Sequence, residues 1–443
     1  MKKKSFYLVS LGCAKNTVDS DSIATLLSHE GYSIVEDPEK AEVMIVNTCG
    51  FIQPARQESI DVLSELAGQK RPGQLLIAAG CFTELYGEKL AIEVKGIDGI
   101  IGTRRWMDLP DLVDTLRRNP GTPRYHLPET PTIGQDEKGV ARVSLQGSSA
   151  YLKIADGCRR PCAYCSIPLI KGTQVSRPMD AILRDAEILQ DNGIQELILI
   201  SQDTTDYGSD LGIKDGLARL LENLLPRIPR IPWVRVLYAY PGYVTDSLID
   251  LMSASEQIVP YLDMPLQHAS PAVLHAMKRP ANMDWVRSTI DKMRQRVPGL
   301  ALRTTFIVGY PSESDADFQL LIDFIQEIEF DHLGVFPFSF ESGTSSAPLG
   351  DPIPEAVKLE WVEQIMTLQE SISLKRNQQF IGKTLEVLVE GYGDGISVGR
   401  SYRDAPEIDG LVIVEDKLAV GEISKVRITG AIKHDLFGKA LQG

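Results

Sequence analysis

The chain has 443 residues, 43% hydrophobic and 24% charged, which suits a soluble globular protein of several packed domains. Its formal net charge of −14 argues against a surface built for non-specific nucleic-acid binding, though it leaves room for a local basic groove. Six cysteines in so long a chain are no secreted disulfide framework, the first apolar run stops at Gly12 without a cleavage site, and no stretch stays apolar for a membrane span. A cytoplasmic protein with no membrane partner is expected.

Residues 4–118 alternate strand and helix. Phe6 to Leu11, Val43 to Asn47 and Leu75 to Ala79 read as buried strands. Between and after them come helices, the first over Val18 to Glu30 with Ile23, Leu26 and Leu27 on one face and a stop at Gly31. Such alternation gives a parallel sheet covered by helices. Each strand runs into a cysteine beside a glycine: Gly12-Cys13, Cys49-Gly50 and Gly80-Cys81. In a parallel sheet the carboxyl ends of the strands share one edge, where ligands bind, so these cysteines are expected to converge. One buried cysteine is usually packing. Three at equivalent places point to an iron–sulfur cluster.

Residues 119–147 read as a linker, rich in Pro, Gly and Thr as far as about Thr132. A short strand, Tyr151 to Ala155, then leads into a loop carrying Cys158, Cys162 and Cys165 at the spacing C-x3-C-x2-C. Three thiolates on one tight loop suit three irons of a cubane and leave a fourth iron open for chemistry. The alternative, a structural zinc, calls for four closed ligands, and no further Cys or His follows at zinc-finger spacing. Residues 148–378 hold six strand candidates (Tyr151–Asp156, Glu196–Ser201, Val234–Tyr240, Val259–Met264, Ala301–Val308 and His332–Phe338) separated by helical stretches. Six β/α units suit an open barrel with its site at the carboxyl ends of the strands. A long amphipathic helix over Ile353 to Phe380 precedes residues 379–443, whose short alternating strands read as a small β-barrel.

The three-cysteine loop, with Tyr164 just before its last cysteine, resembles the signature of radical S-adenosylmethionine (radical SAM) enzymes, in which the open iron chelates the amino and carboxylate groups of SAM. Cys13, Cys49 and Cys81, that loop, the barrel and a tail similar to the TRAM domain occur in this order in the methylthiotransferases, a resemblance that covers essentially the whole chain. It implies an α/β protein with an N-terminal parallel α/β sheet domain, a central open (β/α)6 radical SAM barrel and a C-terminal small all-β barrel. It also implies two 4Fe-4S clusters, two SAM molecules per turnover and an electron donor such as flavodoxin or ferredoxin. The loop cysteines would hold the SAM-binding cluster, and Cys13, Cys49 and Cys81 a second one that handles sulfur. Contacts to SAM are expected from Tyr164, Ser201, Gln202, Gln267, Arg303 and Gly309. No residue pattern identifies the sulfur donor.

Within the family, one branch modifies an adenosine of transfer RNA and another the β-carbon of an aspartate in protein twelve of the small ribosomal subunit. Ile200 to Gly208 (ISQDTTDYG) and Val236 to Pro241 (VLYAYP) resemble the ribosomal-protein branch. From Phe380 to the end, eight Lys and Arg face ten carboxylates, so the tail is mildly acidic and complements a basic ribosomal protein better than phosphates. Asp404, Glu407 and Asp409 are the expected docking residues. Two readings stay open beside this one: a transfer-RNA adenosine methylthiotransferase, and a non-catalytic iron–sulfur protein that binds RNA or the ribosome.

Overall fold

Six short strands begin the chain: β1 (Ser5–Ser10), β2 (Ser33–Ile34), β3 (Val43–Thr48), β4 (Leu75–Gly80), β5 (Gly99–Gly102) and β6 (Arg124–His126). They form one sheet in the order β2-β1-β3-β4-β5-β6, and every pairing is parallel. Helices α1 (Ala14–His29), α2 (Gln53–Gln69), α3 (Cys81–Glu93) and α4 (Leu109–Arg118) cover it. Side chains alternate across a strand, so the sheet feeds two cores. Val43, Ile45, Ile77 and Ala79 pack with Leu26, Leu27 and Leu112 on one face. Met44, Val46, Leu76 and Ala78 pack with Leu63, Leu66 and Leu90 on the other.

The computed structural model describes residues 4–129 and 138–441. It divides into two compact units: Met1–Ser144 with Tyr151–Arg160 and Cys165–Asp185, and Leu145–Ala150 with Pro161–Tyr164 and Ala186–Gly443. The stretch expected as a linker, 119–147, contains β6 and β7 (Val143–Gln146), while its residues 130–137 lie outside the described ones. Then come β8 (Ser149–Lys153), β9 (Ala155–Asp156), α5 (Ile167–Lys171), β10 (Val175–Ser176) and α6 (Met179–Asp191). In the first unit β9 and β10 pair antiparallel, Val175 opposite Asp156, and so close the base of the stretch that carries the loop cysteines.

The second unit continues with β11 (Glu196–Ile200), α7 (Gly216–Leu224), β12 (Trp233–Val236), α8 (Asp246–Ala254), β13 (Tyr261–Asp263), α9 (Pro271–Ala276), α10 (Met283–Arg296), β14 (Ala301–Val308), α11 (Asp315–Ile328), β15 (His332–Pro337) and α12 (Glu355–Gln378). Its strands β11 and β12 pair in parallel, β13, β14 and β15 form a parallel three-stranded sheet, and an isolated parallel bridge links Val234 of β12 to Ile258, three residues before β13. The β/α alternation of the expected open barrel is thus present, with its strands in two arcs. Helix α12 lies along β15 and α11, where Trp361 stacks flat on Phe318 with ring centroids 4.6 Å apart. The tail is a closed barrel of β16 (Thr384–Gly393), β17 (Ile396–Ser401), β18 (Val412–Val414), β19 (Ile423–Ala431) and β20 (Leu436–Ala440), ordered β16-β17-β18-β20-β19. Val387, Val412, Val414, Val426 and Ile428 fill it. Among the described residues no helix is long and apolar enough to cross a membrane.

Candidate metal centres

The first three cysteines meet at the carboxyl edge of the parallel sheet. Cys13 caps the N-terminus of α1, Cys49 follows β3, and Cys81 opens α3 directly after β4. Two glycines let them approach. Gly12 sits at φ +95°, and a Cβ there would fall 2.8 Å from the Cβ of Cys49 and 2.9 Å from its Sγ. A Cβ on Gly50 would fall 2.5 Å from the Cα of Phe82, so the loop after Cys49 lies against the backbone that follows Cys81. Only glycine permits either contact.

Buried Asn16 stitches this edge together. Its Nδ2 donates to the carbonyls of Leu11, Asn47 and Thr48, and its Oδ1 accepts from Cys81 Sγ at 3.9 Å. Asn47 answers by donating to the Asn16 carbonyl at 3.0 Å and to Ser20 Oγ at 2.8 Å. Burial pushes the Cys81 thiol up to about 12; Lys171 opposes the rise, while Cys13 and Cys49 add to it. Burial also raises Cys49, and Cys13 again adds to it. Thiolates at Cys13 and Cys49 would therefore destabilise one at Cys81 until a cation neutralises them.

Among the described residues no three His, Cys, Asp or Glu side chains close around a single ion. Ligands of a cubane stand further apart, because each binds a different iron. The donors here are all soft thiols on a site opened by glycine, which fits a cluster better than one hard ion.

Behind this edge lies a buried lattice of charge. The Asp19 carboxylate receives Arg142, Lys153 at 2.6 Å and Lys171 at 2.8 Å, and Asp156 receives Lys153 at 2.7 Å. Burial alone would raise Asp19, but Lys153, Lys171 and Arg142 outweigh it and hold its carboxyl well below the usual range. Lys171, the last residue of α5, also donates to Thr103 Oγ1 at 2.5 Å. Arg104 donates to the carbonyls of Leu169 and Ile170 at 2.8 and 2.9 Å, so the C-terminal end of α5 is held on the segment after β5.

The C-x3-C-x2-C loop has its own donors. In the first unit the backbone amides of Arg160 and Ile167 each point at a sulfur, Cys158 Sγ and Cys165 Sγ, at 3.4 Å. In the second unit Arg279 Nη1 lies 3.6 Å from Cys162 Sγ, and Tyr240 Oη lies 3.8 Å from it. Donors aimed at sulfur stabilise thiolate ligands, so this loop also fits a cluster.

The residues expected to touch SAM divide. Ser201, just past β11, and Gln267 bury a side-chain oxygen that finds no donor among the described residues. Gln267 is held at φ +74° by backbone bonds to Thr305 and Ile307 of β14. Gly309 ends β14 at φ +78°, and Tyr164 packs with Val273, Met277, Tyr310 and Phe338. Gln202 follows Ser201 and is half-buried. Arg303 does not fit the expectation. It lies three residues into β14, six before Gly309, and its guanidinium is turned to Asp263 at 3.0 Å and Asp409 at 3.3 Å.

The docking residues need a larger correction. Asp409 is buried between Arg303, Tyr261 Oη at 2.7 Å and the Ala405 amide at 2.9 Å. Asp404 is buried against Ser401 Oγ at 2.7 Å, with His332 at 3.6 Å. Neither can present a carboxylate to a partner. Both fasten the tail to the core of the second unit, and of the three only Glu407 is exposed. Sequence reasoning also passed over Asn16, Lys171 and Arg279, and over Gln174, whose buried carboxamide finds no partner among the described residues at either end. Position beside a cysteine motif was the available signal for Asn16, three residues after Cys13, and for Lys171, six after Cys165. Arg279 had none.

Comparison with known proteins agrees with this arrangement. Residues 5–102 match the uncharacterized protein family UPF0004, residues 152–325 the radical SAM superfamily and residues 381–441 the TRAM domain. In solved structures the fold is similar to the radical SAM methyltransferase TsrM from Kitasatospora setae, at TM-score 0.57 and 13% identity over 90% of this chain and 81% of that one. These define a radical SAM enzyme with an additional N-terminal domain and a TRAM tail.

Among curated relatives, the chain is 45% identical to the ribosomal protein uS12 methylthiotransferase RimO of Chloroflexus aurantiacus, over 98% of this chain and 99% of that protein. It is 43% identical to the RimO of Roseiflexus sp., over 99% and 97%, and 42% identical to that of Aquifex aeolicus, over 98% and 96%. The chain belongs to the RimO family of radical SAM methylthiotransferases. It is therefore an enzyme of that class, working with SAM and 4Fe-4S chemistry.

Proposed function

We propose that the chain adds a methylthio group to the β-carbon of an aspartate in protein uS12 of the small ribosomal subunit. The observation that carries this reading is the meeting of Cys13, Cys49 and Cys81 at one sheet edge, in a chain that also bears the C-x3-C-x2-C loop. Similarity over nearly the full length to relatives named for uS12 supports it.

Adding sulfur to an unactivated carbon means removing a hydrogen that no side-chain base can take at neutral pH. A reduced cluster with bound SAM supplies the one-electron chemistry for that removal, and SAM supplies the methyl group. Cys158, Cys162 and Cys165 would hold that cluster, and Cys13, Cys49 and Cys81 a second one that presents sulfur, with two SAM molecules used per turnover. Tyr164, Ser201, Gln202, Gln267 and Gly309 would seat SAM. The unmet oxygens of Ser201 and Gln267 are acceptors suited to its amino and ribose hydroxyl groups. An electron donor such as flavodoxin or ferredoxin would act with the enzyme in the cytoplasm.

The test is mass spectrometry of ribosomal proteins and transfer RNA from a strain lacking this enzyme. Loss of the methylthio mass from uS12, with transfer RNA unchanged, is the expected result. The opposite pattern would transfer the enzyme to the RNA branch.

A further inference from the structure

Arg279 is a buried cation that the proposed reaction leaves without a task. It follows α9, and its guanidinium lies over the ring of Tyr240, 4.2 Å from the centroid. Nη2 is fixed by the Pro265 carbonyl, and Nη1 points at Cys162 Sγ at 3.6 Å. Nε is buried without a partner among the described residues. No carboxylate forms a salt bridge with this guanidinium among the described residues, so its charge faces the sulfur and the ring of Tyr240. A buried cation normally takes a carboxylate. Here an anion is needed, and a thiolate is the anion within reach.

Tyr240 supplies the seat. It stands in the stretch Val236 to Pro241, where its ring carries Arg279 and its hydroxyl lies 3.8 Å from the same sulfur. The backbone helps from the other side, since the Ala163 amide, next to Cys162, donates to the Met277 carbonyl at 2.9 Å. Cys162, Tyr240 and Arg279 are thus held together by contacts that do not depend on any metal.

We infer that Arg279, seated on Tyr240 and donating to Cys162 Sγ, is a positioning residue that raises the reduction potential of the cluster ligated by Cys162. The inference rests on the reading of Cys158, Cys162 and Cys165 as cluster ligands. Reduction adds negative charge to the cluster and its thiolates. Net charge and hydrogen bonds to the sulfurs are among the factors that set the potential of such clusters. A fixed cation in a water-poor site stabilises the reduced form more than the oxidised one. A less strongly reducing donor then suffices to deliver the electron.

The experiment uses the full chain carrying Cys13→Ala, Cys49→Ala and Cys81→Ala, so that one cluster is present, with the potential read by spectroelectrochemical titration without SAM. This parent tests the ligand assignment first: if it holds no iron, the assignment fails and the inference fails with it. With the parent loaded, Arg279→Gln is expected to keep its iron and shift the midpoint to a more negative potential. Arg279→Lys, which keeps the charge, is expected to stay near the parent. A midpoint unchanged in Arg279→Gln at full iron content overturns the inference. Should Arg279→Gln fail to hold iron, Tyr240→Leu decides, since it removes the seat and leaves the charge. A more negative midpoint in Tyr240→Leu supports the inference, and one equal to the parent's overturns it.

Discussion

Arg303 and Asp409 meet at 3.3 Å, a core strand gripping an acidic residue of the tail. Both are largely buried, and Asp409 also takes the Tyr261 hydroxyl and the Ala405 amide. Burial would raise the Asp409 carboxyl, but His332 and Arg303 hold it below its ordinary value. Removing one partner of such a pair strands the other, at a cost of about 3–5 kcal/mol. Asp409→Ala is therefore expected to lower the urea midpoint of the apo-protein markedly. Exposed Glu407→Lys is expected to stay within about 0.5 kcal/mol. Equal, small effects from both would show that the pair contributes nothing.

Iron counting separates the two cysteine sets. Anaerobic reconstitution of the intact chain is expected to give about eight irons, as two four-iron cubanes. Alanine at Cys158, Cys162 and Cys165 should leave about four and abolish release of 5′-deoxyadenosine from SAM. Alanine at Cys13, Cys49 and Cys81 should also leave about four, keep that release and lose sulfur insertion. A single cluster in the intact chain would contradict the assignment.

The sheet-edge site depends on two residues that bind nothing. Gly50 lies so close to Phe82 that any side chain must push the two loops apart. Gly50→Val is expected to lose the iron held by Cys13, Cys49 and Cys81 while the loop cluster and SAM cleavage remain. Retention of all the iron would mean that the edge tolerates a wider spacing than the contact implies.

What the residues revealed in advance, and what they hid, follows from the range of the interactions. The β/α alternation and the strand-end cysteines are local patterns, and both appear in the fold. Strand β5 is only Gly-Ile-Ile-Gly, and β20 has Gly438 at its centre, so weak strand propensity concealed both. Gly438 is required there because a Cβ would fall 2.3 Å from the Val426 side chain, a contact set by the barrel's closure. Asp404 and Asp409 looked like surface charges because Asp and Glu are seldom buried unless paired. Their partners His332 and Arg303 lie far off in sequence, and no local pattern announces them. Arg279 was hidden in the same way, 117 residues from the cysteine it faces.

Glu196 offers a prediction in pH. Its carboxylate, on β11, is fully buried; it takes Arg235 Nε at 2.7 Å, Arg400 Nη2 at 2.6 Å and the Ser149 hydroxyl at 2.9 Å. Burial opposes its charge, but Arg235 and Arg400 prevail and lower its pKa from 4.5 to about 2. A carboxylate lowered on folding adds stability that is complete above the unfolded value and disappears as pH falls through the folded one. The window is therefore from about pH 5 down to about pH 2, and the contribution is on the order of 3 kcal/mol. Glu196→Gln keeps an acceptor and removes the charge, so it should destabilise the apo-protein most near neutral pH. Its difference from the parent should shrink below about pH 4.5, because Glu196 then takes a proton in the unfolded parent while the folded one keeps its charge until about pH 2. The other buried carboxylates titrate in both proteins, so they drop out of the comparison. Urea midpoints measured for the two chains at a series of pH values give the difference directly. A difference that stays constant down to about pH 2 would mean that the charge on Glu196 is not what joins β11 to the tail.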